Sequence, residues 1–207
     1  MRQLTSNSVR AGDLFYIPAV REAVCGFVMA RYIELIPTNV GHLIEVFARF
    51  YLMPPAAVAE VDKSERLFRP IMCSLRFSEI PRWKVLFSDS GYEKSESDYN
   101  NIAFAFPNYI WKGGKEKIKP SYEGQLKEFE DSTCWRMIHV VFRVNAHLAG
   151  IFEANEAYDY RRLPEDLRVD NPVAKERVIV AARLMDERFK TWAEEAKTLG
   201  AHSPRSV

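Results

Sequence analysis

Four histidines, three cysteines and one lysine-glycine run are the groups from which chemistry could be built in this chain. His139 and His147 stand eight residues apart, a spacing that shares a face in either a helix or a strand. No cysteine or carboxylate pattern completes a metal set around them. His42 stands alone in the first half, and His202 lies in the C-terminal tail. Cys134 precedes His139 by five residues, which puts the two on different helix faces and leaves the thiol without a base. Cys25, Cys73 and Cys134 are scattered among apolar neighbours, the usual setting of buried thiols in a reducing compartment. Lys112-Gly113-Gly114-Lys115 has the composition of a phosphate loop without its spacing. Residues 106–110 contain no glycine, and Glu116 stands where a Ser or Thr is needed. No Gly-x-Ser-x-Gly elbow occurs. Asp166 and Asp170 fit loops and caps better than acid–base work. No motif identifies an enzyme, and no metal or cofactor is expected.

Aromatic and acidic residues point to binding instead. Nine Tyr, thirteen Phe and four Trp make 13% of the chain, more than a minimal core requires. Residues 88–101 form a polar loop with four acids, Asp89, Glu93, Glu96 and Asp98, against one base, Lys94. Tyr92 and Tyr99 lie within it, and Trp83 and Trp111 flank it. Tyrosines in such a loop give contact area at low entropic cost. Asp89, Tyr92, Glu93, Glu96, Asp98 and Tyr99 are therefore the candidate partner contacts. The competing reading is a solvated loop whose aromatics cover a sheet edge. A second function class, a nucleic-acid module, would use Lys112, Lys115, Lys117 and Lys119 and would bind more weakly as salt rises. A third, an enzyme without a recognisable motif, would need a deep polar pocket around His139 and Arg143.

These groups must be positioned by a chain of 207 residues, long enough for one generous domain or two small ones. A formal net charge of +1, from 29 basic and 28 acidic residues, lacks the basic excess of a dedicated nucleic-acid binder. From the polar N-terminus no signal sequence is expected, and the apolar run at 14–20 is too short for a bilayer and is broken by Pro18. The expectation is a cytoplasmic protein with no membrane partner.

The pattern predicts an α+β fold. The N-terminal part, residues 10–110, reads as a curved antiparallel sheet or partial barrel. Strands are expected at 12–18, 23–35, 42–52, 67–77, 83–87 and 102–106, with a turn at 37–41. Residues 42–52 alternate, and the set Ile44, Val46, Ala48, Phe50 and Leu52 is assigned to the core. A basic connector at 112–119 precedes a mainly helical region, 120–200. Ser121 is expected to cap a short helix carrying Tyr122, Leu126 and Phe129. Residues 133–149 fit a helix or a strand. Helix is preferred because Asp131-Ser132-Thr133 supplies a cap and Gly150 a stop, leaving Arg136, His139, Arg143 and His147 as a polar stripe. Asp170-Asn171-Pro172 opens a long amphipathic helix running to Gly200. Its apolar stripe suits packing on the sheet or pairing with a second copy as a homodimer.

Gly12-Asp13-Leu14-Phe15-Tyr16-Ile17-Pro18, followed by Cys25-Gly26-Phe27-Val28 and then Trp83-Lys84-Val85-Leu86, resembles the immunity protein 26 family of bacterial polymorphic-toxin systems. The likeness spans about residues 10–106; Arg21-Glu22-Ala23 replaces the polar, glycine-bearing turn expected between the first two strands. The resemblance implies an immunity-like domain that binds a cognate toxin and neutralises it without catalytic residues.

Overall fold

In a computed structural model, described here for residues 1–36, 41–76, 78–113 and 116–201, two sheets and two helices form the fold. The expected turn residues 37–40, Phe77, Gly114, Lys115 and His202 lie outside the described set, as do the side chains of Glu116 and residues 196–201. The strands are β1 (Arg2–Gln3), β2 (Asp13–Arg21), β3 (Val24–Ile36), β4 (Gly41–Tyr51), β5 (Ile71–Ser74) and β6 (Lys84–Ser88). They continue with β7 (Ala103–Phe106), β8 (Tyr109–Lys112), β9 (Glu116–Ile118), β10 (Glu130–Asp131) and β11 (Cys134–Arg136). The helices are α1 (Met137–Leu148) and α2 (Pro172–Ala201).

The larger sheet has the order β1-β6-β2-β3-β4-β5-β11 and curls into a half-barrel. It is antiparallel except for β11, which pairs parallel to β5. Register shifts between Val28 and Ala30 and between Tyr32 and Glu34 sharpen the twist where β3 meets β4. The smaller sheet runs β10-β7-β8-β9, with β10 parallel to β7. The expected α+β class and curved sheet are therefore present, with a further hairpin, β7–β8, just after the acidic loop.

Both faces of the half-barrel are buried, which corrects the one-sided assignment of β4. Ile44 and Val46 join Phe15, Val28, Phe68 and Trp83 in a core closed by Ile138, Val141 and Phe142 of α1. The opposite face holds Leu43, Glu45, Phe47 and Tyr51, all buried, while Leu52, assigned to the core, is 53% exposed. That face carries one cluster of Leu14, Tyr16, Phe27, Met29 and Phe47 with Met185 and Phe189. A second cluster there gathers Ile33 and Leu43 with Tyr99, Ile102, Phe104 and Trp111. Simple alternation fails because elements distant in sequence cover the second face.

Residues 133–149 resolve into both candidates: β11 first, then α1. The helix begins without a side-chain cap, since Arg136 rather than the Ser/Thr pair occupies that place, and Gly150 (φ 72°) follows its end. The predicted polar stripe is not solvent-facing throughout, because Arg143 and His147 are buried. After Gly124 there is a 3-10 turn, Gln125–Glu128, instead of a Ser121-capped helix. The cap of α2 is as expected, with Asn171 Oδ1 accepting from the N–H groups of Val173 and Ala174, both at 2.9 Å.

Helix α2 serves both cores. Ala174, Val178 and Ala182 join the α1 side, while Met185 and Phe189 reach the opposite face. Phe189 stacks on Tyr16 at 3.8 Å between centroids and meets Phe27 edge-on at 5.0 Å. Among the described residues no helix is long and apolar enough to cross a membrane. Replacing Phe189 by Ala is expected to cost about 3–5 kcal/mol, read from the urea unfolding midpoint; a loss below about 1 kcal/mol would show that α2 does not hold this face closed.

Candidate functional site

The acidic loop owes its position to charged residues buried beneath it. Arg31 on β3 lies directly across from Glu45 on β4, and both are 2% exposed. The Glu45 carboxylate accepts from Arg31 Nε at 2.7 Å, from Arg66 Nε at 2.8 Å and from the Ser97 hydroxyl at 2.6 Å. Ser97 also shares a 2.8 Å hydrogen bond with the Tyr92 hydroxyl, and its carbonyl accepts from Arg66 Nη2. The Arg31 guanidinium lies 4.5 Å from the Tyr92 ring centroid and 5.6 Å from that of Phe47. Its Nη1 donates to Glu96 at 3.0 Å. This network occupies the seam between the two apolar clusters of the sheet's outer face.

Within the loop two short 3-10 turns, Lys94–Ser97 and Tyr99–Asn101, replace irregular chain. Glu93 and Glu96 form a reciprocal capping box, and Asp98, in the left-handed region at φ 44°, links the two turns. The Glu93 N–H, and then the Arg31 guanidinium, hold the Glu96 carboxyl below the usual range. Burial pushes the Tyr92 phenol up, against the opposing pull of Ser97 and Arg31. The Tyr99 hydroxyl and the Lys94 ammonium both donate to Glu34 on β3, and Lys94 sits 4.6 Å over the Tyr99 ring. Burial and the Glu34 carboxylate raise the Tyr99 phenol strongly.

The six predicted contacts therefore divide. Tyr99 is 9% exposed and Tyr92 is half-buried; both point into the fold. Glu93, Glu96 and Asp98 are exposed. Asp89 is half-buried, accepting from Gly91 N–H at 3.2 Å and facing Lys63 at 3.8 Å. Trp111 meets Tyr99 edge-on, whereas Trp83 belongs to the core on the other face. The residues that hold the loop, Arg31, Glu34, Glu45, Arg66 and Ser97, are absent from the sequence-based set. Charges inside an alternating strand read as solvent-facing, and only the cross-strand register of Arg31 with Glu45 could have signalled the pair. Ser97, though bonded to a carboxylate, is fully buried and closed to any substrate.

Two glycines of the opening pattern have visible reasons. Gly12 has φ 82°, and a Cβ there would lie 2.5 Å from the Asp89 carbonyl and 2.7 Å from Tyr92 Cβ. A Cβ on Gly26 would lie 2.5 Å from both the Phe50 ring and the Tyr51 carbonyl. Asp13, 1% exposed, accepts from Arg10 N–H at 2.7 Å, from the Ser88 hydroxyl at 2.8 Å and from Arg2. The start of the loop is thus tied to the start of β2.

A second buried ion pair lies on α1. Arg143, fully buried, donates from Nη1 at 2.5 Å and Nη2 at 2.9 Å to the two carboxylate oxygens of Glu130. Phe68, Trp135 and Tyr158 surround its guanidinium at 4.7–5.3 Å. His147, one turn on, packs against Phe68 and Phe152; burial, and then the Arg143 charge, lower it to about 4. His139 is half-buried with Arg136, Glu79 and Lys175 as its charged neighbours, and burial lowers it too. His139 and Arg143 thus occupy different surroundings rather than one polar pocket. Among the described residues no group of three or more His, Cys, Asp or Glu could hold a metal ion. Of the basic stretch, Lys112 and Lys119 are exposed, and Lys117 sits 4.9 Å over the Tyr109 ring.

Comparison with protein-family models, with curated proteins and with solved structures finds no match for this chain.

Two measurements test these networks. Glu45→Ala strands Arg31 beneath the loop and is expected to cost about 3–5 kcal/mol in chemical denaturation; a loss under about 1 kcal/mol would mean that solvent already reaches the pair. His147 is neutral when folded, so the unfolded chain takes up its proton first as pH falls. Its contribution is whole above about pH 6.5 and is lost between there and about pH 4, a loss of about 3 kcal/mol. His147→Leu should flatten that limb relative to the parent protein; parallel curves for the two would remove the assignment.

Proposed function

We propose that the chain is an immunity-type binding protein that holds a cognate toxin and covers its active surface, with the edge of the 88–101 loop as the contact. The supporting observation is that this loop is fastened from below and acidic above. Arg31, Glu45 and Glu34 engage Ser97, Tyr92, Tyr99 and one oxygen of Glu96, while Glu93 and Asp98 stay exposed. A partner meeting such an edge finds carboxylates already placed, so little ordering entropy opposes association. The outward acids would steer a basic surface into register and speed its capture. In this reading Tyr92 and Tyr99 serve by holding the acids in place. The resemblance in the Gly12-to-Pro18 and Gly26-to-Val28 segments supports the same function, and the cytoplasm of the producing cell is where it would act.

The test is growth rescue. Co-expressed with the toxin encoded beside it, the parent chain should restore growth, and Glu93→Lys combined with Asp98→Lys should abolish rescue. The same pair should slow association by about tenfold or more at low salt, beyond the modest fall in melting temperature that loss of the Glu93 half of the capping box brings. Absence of rescue by the parent chain, or full rescue by the double variant, would dismiss the reading; retardation of nucleic acid in a gel would favour a basic-surface function instead.

A further inference from the structure

The core between the half-barrel and α1 stays open at one end. Strand β6 pairs with β2 only as far as Phe15, so beyond that point this edge of β2 is met by α1 rather than by a strand. Where α1, the end of β2 and the start of α2 converge there is a hollow of about 480 Å³. Val20, Phe142, Leu148, Ala174 and Val178 give it apolar walls, and Asn145 stands among them. Its volume falls within the range of small-molecule sites, about 300–1,000 Å³. Over it the β2–β3 turn holds Glu22 and Ala23 at φ 50° and 65°, where a relaxed two-residue turn takes Asn-Gly, and Ala23 forms part of the wall.

Asn145 is the residue that apolar packing does not explain. It sits in the last turn of α1, only 5% exposed, beside the buried Phe142 and Ala146. A buried amide is costly there unless both its ends are bonded. Its Oδ1 accepts from the Val20 N–H at 2.9 Å, which fixes the orientation of the amide. Its Nδ2 has no partner among the described residues, so the hollow offers one buried donor in an apolar wall. We propose that the hollow binds a small uncharged molecule with an apolar body and one carbonyl group, whose oxygen accepts from Asn145 Nδ2. Charge at the mouth favours no ion, because Arg21 and Arg177 are matched by Glu22 and Asp166. Arg177 already donates to the Asp166 carbonyl at 3.2 Å. A carboxylate carried inward would exchange water for a single neutral donor, which does not offset its desolvation. A hydrocarbon of the same shape would leave Nδ2 without a partner. The acidic loop meets β2 at Asp13, seven residues and roughly 23 Å from Val20, so this site stands apart from the toxin contact and does not rest on it.

Nitrogen-15 NMR of the full chain, with acetophenone as the probe, tests this. The side-chain amide signals of Asn145, identified by their disappearance in Asn145→Asp, should shift and saturate as acetophenone is added at millimolar concentrations. Ethylbenzene, which lacks the carbonyl, and benzoate, which is charged, should each bind about tenfold more weakly. Asn145→Asp keeps an acceptor for the Val20 N–H but removes the donor; it should bind acetophenone about tenfold more weakly than the parent chain does, and no better than ethylbenzene. Ala149→Trp, at an exposed position on the wall, should weaken all three probes with the melting temperature unchanged. No saturable shift of the Asn145 amide, ethylbenzene or benzoate binding as tightly as acetophenone, or an Ala149→Trp chain that binds acetophenone like the parent would overturn the proposal.

Discussion

Glu45 is the group on which the outer face of the sheet depends. A carboxylate at 2% exposure is costly unless every lone pair finds a donor, and here two guanidinium groups and a hydroxyl supply them. Those donors come from three separate segments: β3, the stretch after β4, and the loop 88–101. Satisfying one buried charge therefore fixes the relative positions of all three. Apolar contact alone would leave the loop free to slide across the sheet; a fan of directed hydrogen bonds does not.

Close approach of the backbone complements that charge. Because Gly12 has no side chain, the Asp89 carbonyl and the Tyr92 Cβ can come down onto the start of β2. Asp13, next to it, ties Ser88 and Arg10 to the same corner. The Gly-Asp pair is thus a docking corner for the loop rather than merely a strand opener. Arg143 and Glu130 do comparable work on the other side of the molecule, joining α1 to β10 across an aromatic enclosure.

Legibility followed the range of the forces involved. The class, the strands β2, β3 and β4, the extended Ala103–Phe106 segment and the Asn171 cap of α2 rest on local pattern, and the sequence carries them. Helix α1 is expected between an Asp131-Ser132-Thr133 cap and a Gly150 stop; the stop is where it is expected, but Asp131 ends β10 and the chain after Thr133 forms β11, where edge pairing with β5 outweighs local capping. The burial of both faces of β4 depends on β7, β8 and the far end of α2, which no period within 42–52 reveals. In the candidate site the exposed acids Glu93, Glu96 and Asp98 were legible as composition. The inward aim of Tyr92 and Tyr99 was not, because their partners Arg31 and Glu34 stand about sixty residues earlier and look like ordinary strand polar residues.

The double attachment of α2 also orders events during synthesis. Tyr16, Phe27 and Met29 leave the ribosome long before Met185 and Phe189, which cover them. At the usual pace of about 5–20 residues per second the aromatic face stays wet for roughly ten seconds or longer. The nascent half-barrel is most prone to stick to its neighbours during that interval, and the emergence of α2, rather than completion of the sheet, ends it.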